Sequence, residues 1–358
     1  MTHVLSRRAL NRATLDRQLL LRRSELPVVD AVRRLVGLQA QTPHTWYVGL
    51  WSRLTEFDPA RAAELLVDRS LIRMALMRST IHLVVPEDAR ALRPLIQPVL
   101  DRDLYRNFTH GKPIQGIDMA QLVADGVELL AAKPLTNKEL GALLAERWPG
   151  RAPASLVYAI RNQVPLVQVP PRGVWGRSGP IAHTTVDAWL GASAPATATL
   201  EWMIRRYLAA FGPASVKDLQ VWSGLTKLRE VVEPMSLRVF QDEHGQTLYD
   251  VPDVVHPDPD TPAPPRFLYD FDNLLLSYAD RTRVITDDHR HRTQRPVPQL
   301  LLVDGFTAGD WTVSRTADEA TLTIRTYQPL TDAGAVVDEA EALLAFLHPD
   351  TGTRKVLL

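Results

Sequence analysis

The sequence predicts an α+β protein: three tandem winged helix-turn-helix units followed by a C-terminal β-barrel-like domain. Three observations point there. Helix pairs followed by a β-branched or hairpin segment recur three times along residues 1–255. A proline-rich stretch, HPDPDTPAPP, then interrupts the pattern at 256–265. Beyond it, segments suited to strands dominate until a last amphipathic helix. The three units share an order of elements and not a sequence, so the expected boundaries are 1–112, 113–190, 191–255 and 265–358.

In the first unit, residues 4–23 read as an amphipathic helix. Val28, Val32, Leu35, Val36 and Leu38 keep close to a helical period, so a second helix is expected to end at GLQAQTPH, with Pro43 enforcing the stop. WYVGLWSRL starts a third helix. DPARAAELLVDRSL supplies a fourth, with Asp58 as N-cap and Pro59 at its first position. RSTIHLVVP alternates and is β-branched, which predicts a strand.

The second unit pairs a helix in PLTNKELGALLAERWPG, capped by Thr136 or Asn137, with a helix in APASLVYAIRNQ. VPLVQVPPRGVWGRSG then reads as strand, tight turn at Pro170 to Gly173, and strand. The third unit repeats the order with LEWMIRRYLAAFGPAS and SVKDLQVWSGL, where Ser215 and Asp218 match a capping box. Strands around a Gly245 turn close it. After the proline-rich linker, RFLYDFDNLLLSYADRTRVI, QLLLVDGFTAGDWTVSR and ATLTIRTYQPL are expected strands, and AVVDEAEALLAFL a final helix.

Composition excludes several function classes. Among 358 residues there is no cysteine, which removes disulfides, thiolate zinc sites, iron–sulfur clusters and a cysteine nucleophile. No stretch of about 20 apolar residues spans a membrane. The polar N-terminus lacks a signal-peptide apolar region, so a cytoplasmic location is expected. Net charge is zero, yet five arginines and no acid fall between Arg147 and Val186. DRTRVITDDHRHRTQR adds a second basic cluster, and such segregation suits a polyanion. No heptad segment or spare apolar helix is available for dimerisation, so a monomer is expected.

Helix-turn-helix units place a helix in the major groove and a wing nearby. The hairpin with Pro171, Arg172, Gly173, Trp175 and Arg177 is the strongest candidate contact, because a thin arginine-bearing tip suits the minor groove. The same residues also fit a solvated hairpin. Arg161 belongs to the same acid-free stretch. His289 and His291 lie two apart, but no third ligand accompanies them, so neither a metal nor another cofactor is assigned. Asp270, Asp272 and Asp280 fit an acid cluster or backbone caps. Trp46, Trp51 and Tyr47 read first as core, although an open aromatic there would stack on a base.

GLQAQTP, MRSTIHLV, PPRGVWGRSG, FDNLLLSYADRTRV and VDGFTAGDW occur together and in order. With them the chain resembles the HTH_42 superfamily of winged-helix DNA glycosylases, and Gln-x-Gln at Gln39 and Gln41 resembles its AlkZ-type branch. The sister branch carries Gln-x-Asp. The resemblance implies a C-shaped DNA channel and monofunctional hydrolysis of the N-glycosidic bonds of N7-alkylated purines in double-stranded DNA. It extends to unhooking of interstrand crosslinks, in repair or in self-resistance to a DNA-alkylating natural product. It further implies that Gln39 and Gln41 are the catalytic pair and that the hairpin from Val169 to Arg177 enters the minor groove. His44, Trp46, Arg78 and His82 are further site-lining candidates, and the resemblance assigns no role to Arg78, His82, Asp280 or Arg281.

The chemistry is consistent with two amides. N7 alkylation makes the purine cationic, so it leaves as a neutral base without protonation. What remains is a water poised at C1′ and tolerance of a cationic sugar. A glutamine is no base, but its carbonyl can orient water. The competing class is a non-catalytic winged-helix regulator, in which both glutamines are ordinary surface residues. A β-barrel interaction module would explain the C-terminus but not the basic wing.

Overall fold

Strand pairing ties together segments far apart in sequence. The computed structural model describes residues 3–194, 196–293 and 298–358. Its largest sheet runs in the order Leu38–Gln39, Ile81–Val84, Ile72–Ala75, Leu166–Gln168, Ala182–Thr185 and Leu135–Thr136. The join lies where Arg73 and Met74 pair with Gln168 and Val167. One sheet therefore carries strands from both sides of the expected boundary at 112/113. A three-stranded sheet sets His3–Leu5 parallel to Arg238–Asp242, which pairs in turn with Thr247–Asp250.

The C-terminal sheet has five strands: Arg266–Phe267, Gln299–Val303, Phe306–Arg315, Glu319–Thr326 and Thr353–Leu357. A register shift between Leu301 and Leu302 bends it, as bulges do, and it curls into a half-barrel under the helix Ala333–Leu347. Mixed helix and sheet make the chain α+β. One core joins Leu38, Trp46, Tyr47 and Leu83 from the N-terminal part to Trp222, Phe267, Tyr269 and Trp311 from later elements. A second core, built around Leu122, Leu140, Leu156 and Ile160, supports the helices that follow residue 118.

Several local expectations hold. The helix Pro59–Val67 starts on Asp58 with Pro59 in its first turn. Asn137–Arg147 begins on a Thr136–Glu139 capping box, and Val216–Ser223 on the Ser215–Asp218 box. Four expectations need correction. The N-terminal helix covers only Arg7–Arg17, because His3–Leu5 joins a sheet and Ser6 caps the helix behind it. The helix before the glutamines stops at Arg34, well short of Pro43; Val36 and Gly37, at φ 55° and 84°, reverse the chain. The segment 174–181 is a series of turns, and regular pairing resumes only at Ala182. In RFLYDFDNLLLSYADRTRVI only Arg266–Phe267 is strand, since Asp272 caps a short helix, Asn273–Leu276. Gln294 and Arg295 of the basic stretch lie outside the described residues.

Candidate active site

The turn at Gly37 delivers Leu38–Gln39 alongside Ile81–Val84, with Gln39 opposite His82. A Cβ at Gly37 would lie 2.9 Å from the Leu83 carbonyl, so a side chain there would force the two strands apart. The ladder opens one residue later. Ala40 N–H donates to the Ile81 carbonyl at 2.7 Å, but the return bond is absent. Instead Ile81 N–H donates to Gln41 Oε1 at 3.1 Å, and the Ala40 carbonyl accepts from Arg73 Nη2 at 2.8 Å. Each backbone group left over is satisfied by a side chain, as buried polar groups require. Alternation along an extended chain turns Ala40 to the core and places Gln39 and Gln41 on the other face. Ala40 and Ile81 form the hydrogen-bonded position. Gln39 and His82 therefore occupy the narrow one, where side chains approach most closely.

Gln39 is buried and held at three points. Its N–H donates to Asn273 Oδ1 at 3.3 Å, its carbonyl accepts from the Tyr269 hydroxyl at 3.0 Å, and its Oε1 accepts from Arg78 Nη2 at 2.7 Å. Asn273 Nδ2 donates to the Gly37 carbonyl at 2.6 Å, so one C-terminal side chain braces both ends of the strand. Arg78 adopts a left-handed backbone, φ 56°, and its Nη1 donates to the Trp222 carbonyl at 2.7 Å. Among the described residues no carboxylate pairs with it, and burial pushes the guanidinium down to about 10, still charged at neutral pH. Because Arg78 and the Ile81 amide can only donate, they fix both glutamine amides with oxygen inward. Each oxygen keeps a second lone pair.

Burial, and then the charge on Arg78, push His82 down to about 3, so its imidazole is neutral. Its Nδ1 meets the Thr80 carbonyl at 3.0 Å and must carry the proton, which leaves Nε2 as an acceptor. The nearby acids are engaged elsewhere. Asp270 accepts from Thr42; Asp272 holds Arg53 in a fully buried two-bond pair at 2.8 and 2.9 Å; Asp280 accepts from Thr282. These three aspartates therefore form no single cluster. His289 Nδ1 lies 2.8 Å from the Thr307 carbonyl within the 3₁₀ segment Asp287–Thr293, and no group of three metal-binding side chains occurs among the described residues.

The hairpin is anchored through residues 172–175 and exposed beyond them. The Tyr47 hydroxyl donates to the Gly173 carbonyl at 3.0 Å, and His44 Nε2 to the Val174 carbonyl at 3.1 Å. Trp175 packs against Tyr47 and Phe346, with ring centres 4.8 and 5.4 Å apart. Arg172 does not form the tip. It is half-buried, and its Nη1 donates to the Gly179 carbonyl at 3.2 Å, beside the exposed Pro171. Gly176, Arg177 and Ser178 form the exposed end. Arg161 donates to the Ser79 carbonyl at 2.7 Å, next to Arg78. Trp46 is fully buried, its indole N–H on the Pro43 carbonyl at 2.8 Å, so it supports the loop from below.

Arg73 connects the two regions. It is buried without an acidic partner among the described residues, and burial pushes it down to about 10. Its Nη2 holds the Ala40 carbonyl between the two glutamines, while Nη1 reaches the Arg172 carbonyl at 3.4 Å. A Cβ on Gly173 would come 2.9 Å from that Nη1. Sequence reasoning missed Arg73, Tyr269 and Asn273. Arg73 had a signal, a lone charge inside the apolar run LIRMALM. Asn273 lay within the motif FDNLLLSYADRTRV, but nothing there tied it to Gln39, and Tyr269 had no signal, since both contacts span more than 200 positions.

The sequence model of the AlkZ-like DNA glycosylases matches residues 32–346. The chain belongs to the AlkZ-like DNA glycosylase family. The glycosylase also resembles the solved structure of Streptomyces sahachiroi DNA glycosylase AlkZ, with a TM-score of 0.79 over 99% of each chain at 22% identity. That likeness is one of fold. No curated protein matches the sequence. Among the described residues no helix is long and apolar enough to cross a membrane.

Proposed function

We propose that this DNA glycosylase hydrolyses the N-glycosidic bond of N7-alkylated purines in duplex DNA, bulky and crosslinked N7-alkylguanines included. The observation that carries the reading is the pair of oriented amides on one strand face, beside a neutral imidazole and, among the described residues, with no carboxylate hydrogen-bonded to either amide. A site without a strong base or acid suits a bond that alkylation has already weakened. The free lone pairs of the amide oxygens and of His82 Nε2 are suited to hold one water against C1′. Ordinary purines, which need protonation to leave, are left intact.

The cations near the pair are guanidiniums, which do not form Schiff bases, so the product is an abasic site without strand cleavage. A guanine tethered to the opposite strand cannot swing into a closed pocket. The open cavity of about 600 Å³ beside Arg78 suits such a substrate. Removal of bulky N7 adducts fits protection of a cell against a DNA-alkylating natural product, by a monomeric enzyme. The test is incubation with a duplex carrying one N7-methylguanine. Free 7-methylguanine and an alkali-labile, otherwise intact strand are expected. Tight duplex binding without base release would instead make the chain a DNA-binding regulator.

A further inference from the structure

We infer that Phe108 is a wedge that inserts into the base stack of duplex DNA beside the excised nucleotide. The inference rests on the DNA-directed reading above and adds a contact outside the glutamine strand and the hairpin.

Phe108 is fully exposed, and Tyr105, one turn earlier, is 56% exposed. A large exposed apolar side chain is informative when the backbone beneath it is ordered. Here it is. Asn107 Oδ1 accepts from the backbone N–H of Thr109 and of His110, both at 3.0 Å, and the Asn107 carbonyl accepts from Gly111 N–H at 2.9 Å. This turn presents Phe108 outward at a defined place, so little ordering entropy is lost when the ring is engaged.

The turn is wired to the candidate site. Asn107 Nδ2 donates to the Tyr158 hydroxyl at 3.2 Å, and that hydroxyl donates to Asp103 Oδ2 at 2.6 Å. The same oxygen accepts from the Ser79 hydroxyl at 2.8 Å, and Ser79 follows Arg78, which holds Gln39. Phe108, Arg102, Arg106, Arg78 and Gly224 line one cavity of about 600 Å³. Arg106 is exposed and makes no ion pair among the described residues. Arg78 donates to Gln39 and the Trp222 carbonyl and Arg102 to the Gly224 carbonyl, and Asp103 also lines the cavity, so among the described residues the uncommitted cation beside the ring is Arg106. An exposed aromatic ring next to that arginine, on the rim of the cavity lined by Arg78, matches the surface of a duplex: a phosphate for the arginine and a base step for the ring.

The experiment uses full-length protein and a duplex with 2-aminopurine next to an N7-methylguanine, comparing wild type, Phe108→Ala and Phe108→Trp. Wild type is expected to raise 2-aminopurine emission by unstacking it. Phe108→Ala should lose that rise and bind about tenfold more weakly, the effect of one lost base–aromatic stack. Phe108→Trp should restore both. Thermal melting should not change, because the side chain touches solvent only. If Phe108→Ala binds and unstacks as wild type does while wild type still releases base, the wedge is refuted and the glycosylase reading stands. If wild type binds duplex but releases no base, the glycosylase reading fails, and the emission change still decides the wedge.

Discussion

The strand that carries Gln39 and the hairpin that carries Arg177 meet at one buried arginine, yet they are built in opposite ways. On the strand, nearly every polar group is committed: Asn273, Tyr269 and Arg78 hold Gln39, while Gln41 and Arg73 cap the opened ladder. On the hairpin Tyr47, His44 and Arg73 hold the backbone carbonyls of residues 172–174, and Gly176, Arg177 and Ser178 beyond them are exposed. Under the proposed function the difference separates two tasks. Orienting a water needs atoms held to a fraction of an ångström. Meeting a phosphate backbone needs reach and charge. Arg73 keeps the two at a fixed spacing.

The largest expected effect breaks the rigid half. Gln39→Ala removes an oriented amide and should lower single-turnover excision by about 100-fold or more, the usual cost of losing a preorganised polar group. Undamaged duplex should bind as before. Gln41→Ala should differ in kind, since it also leaves the Ile81 N–H unpaired. It should lose activity and about 1 kcal/mol of stability together, read by excision and urea melts on one preparation.

The next effect comes from burial. His82 and His183 are neutral in the fold, desolvation pushing them down to about 3 and about 4 from an ordinary 6.5. Their folded values are depressed, so below about 6.5 the unfolded chain binds more protons. Stability is complete above that pH and falls toward about pH 4 for His183 and about pH 3 for His82. At about pH 5 each histidine should cost about 2 kcal/mol. Urea melts at that pH and at neutral pH should show the loss, and His82→Gln should remove its share.

Much of the fold was legible because its signals are local: the Asp58, Thr136 and Ser215 caps, and the apolar periodicity of the helices. The motif marked Gln39 and Gln41 as candidates, but the expected helix end was a strand, because two residues in left-handed conformation, Val36 and Gly37, carry no distinct sequence signature beyond one glycine. Arg172 looked like the tip because it sits between Pro171 and Gly173; its guanidinium turns back onto Gly179 instead. The contacts of Tyr269 and Asn273 with Gln39 join positions more than 200 residues apart, and the pairing itself leaves no local trace.

The smallest effect concerns the free half. Arg177→Ala should weaken binding to undamaged duplex a few-fold and reduce the slope of log affinity against log salt by about one. Arg172→Ala, whose charge is already turned inward, should change that slope less. A salt titration of both variants distinguishes them, and a larger slope change for Arg172 would reverse the assignment of tip and anchor.

The separation of tasks is tested most directly by single-turnover excision of N7-methylguanine across a range of enzyme concentrations, for wild type, Gln39→Ala and Arg177→Ala. The account predicts that Gln39→Ala lowers the rate at saturating enzyme and leaves the half-saturating concentration unchanged. Arg177→Ala should raise that concentration and reach the wild-type rate. If Gln39→Ala is rescued by more enzyme, or Arg177→Ala stays slow at saturation, chemistry and engagement are not divided between the strand and the hairpin.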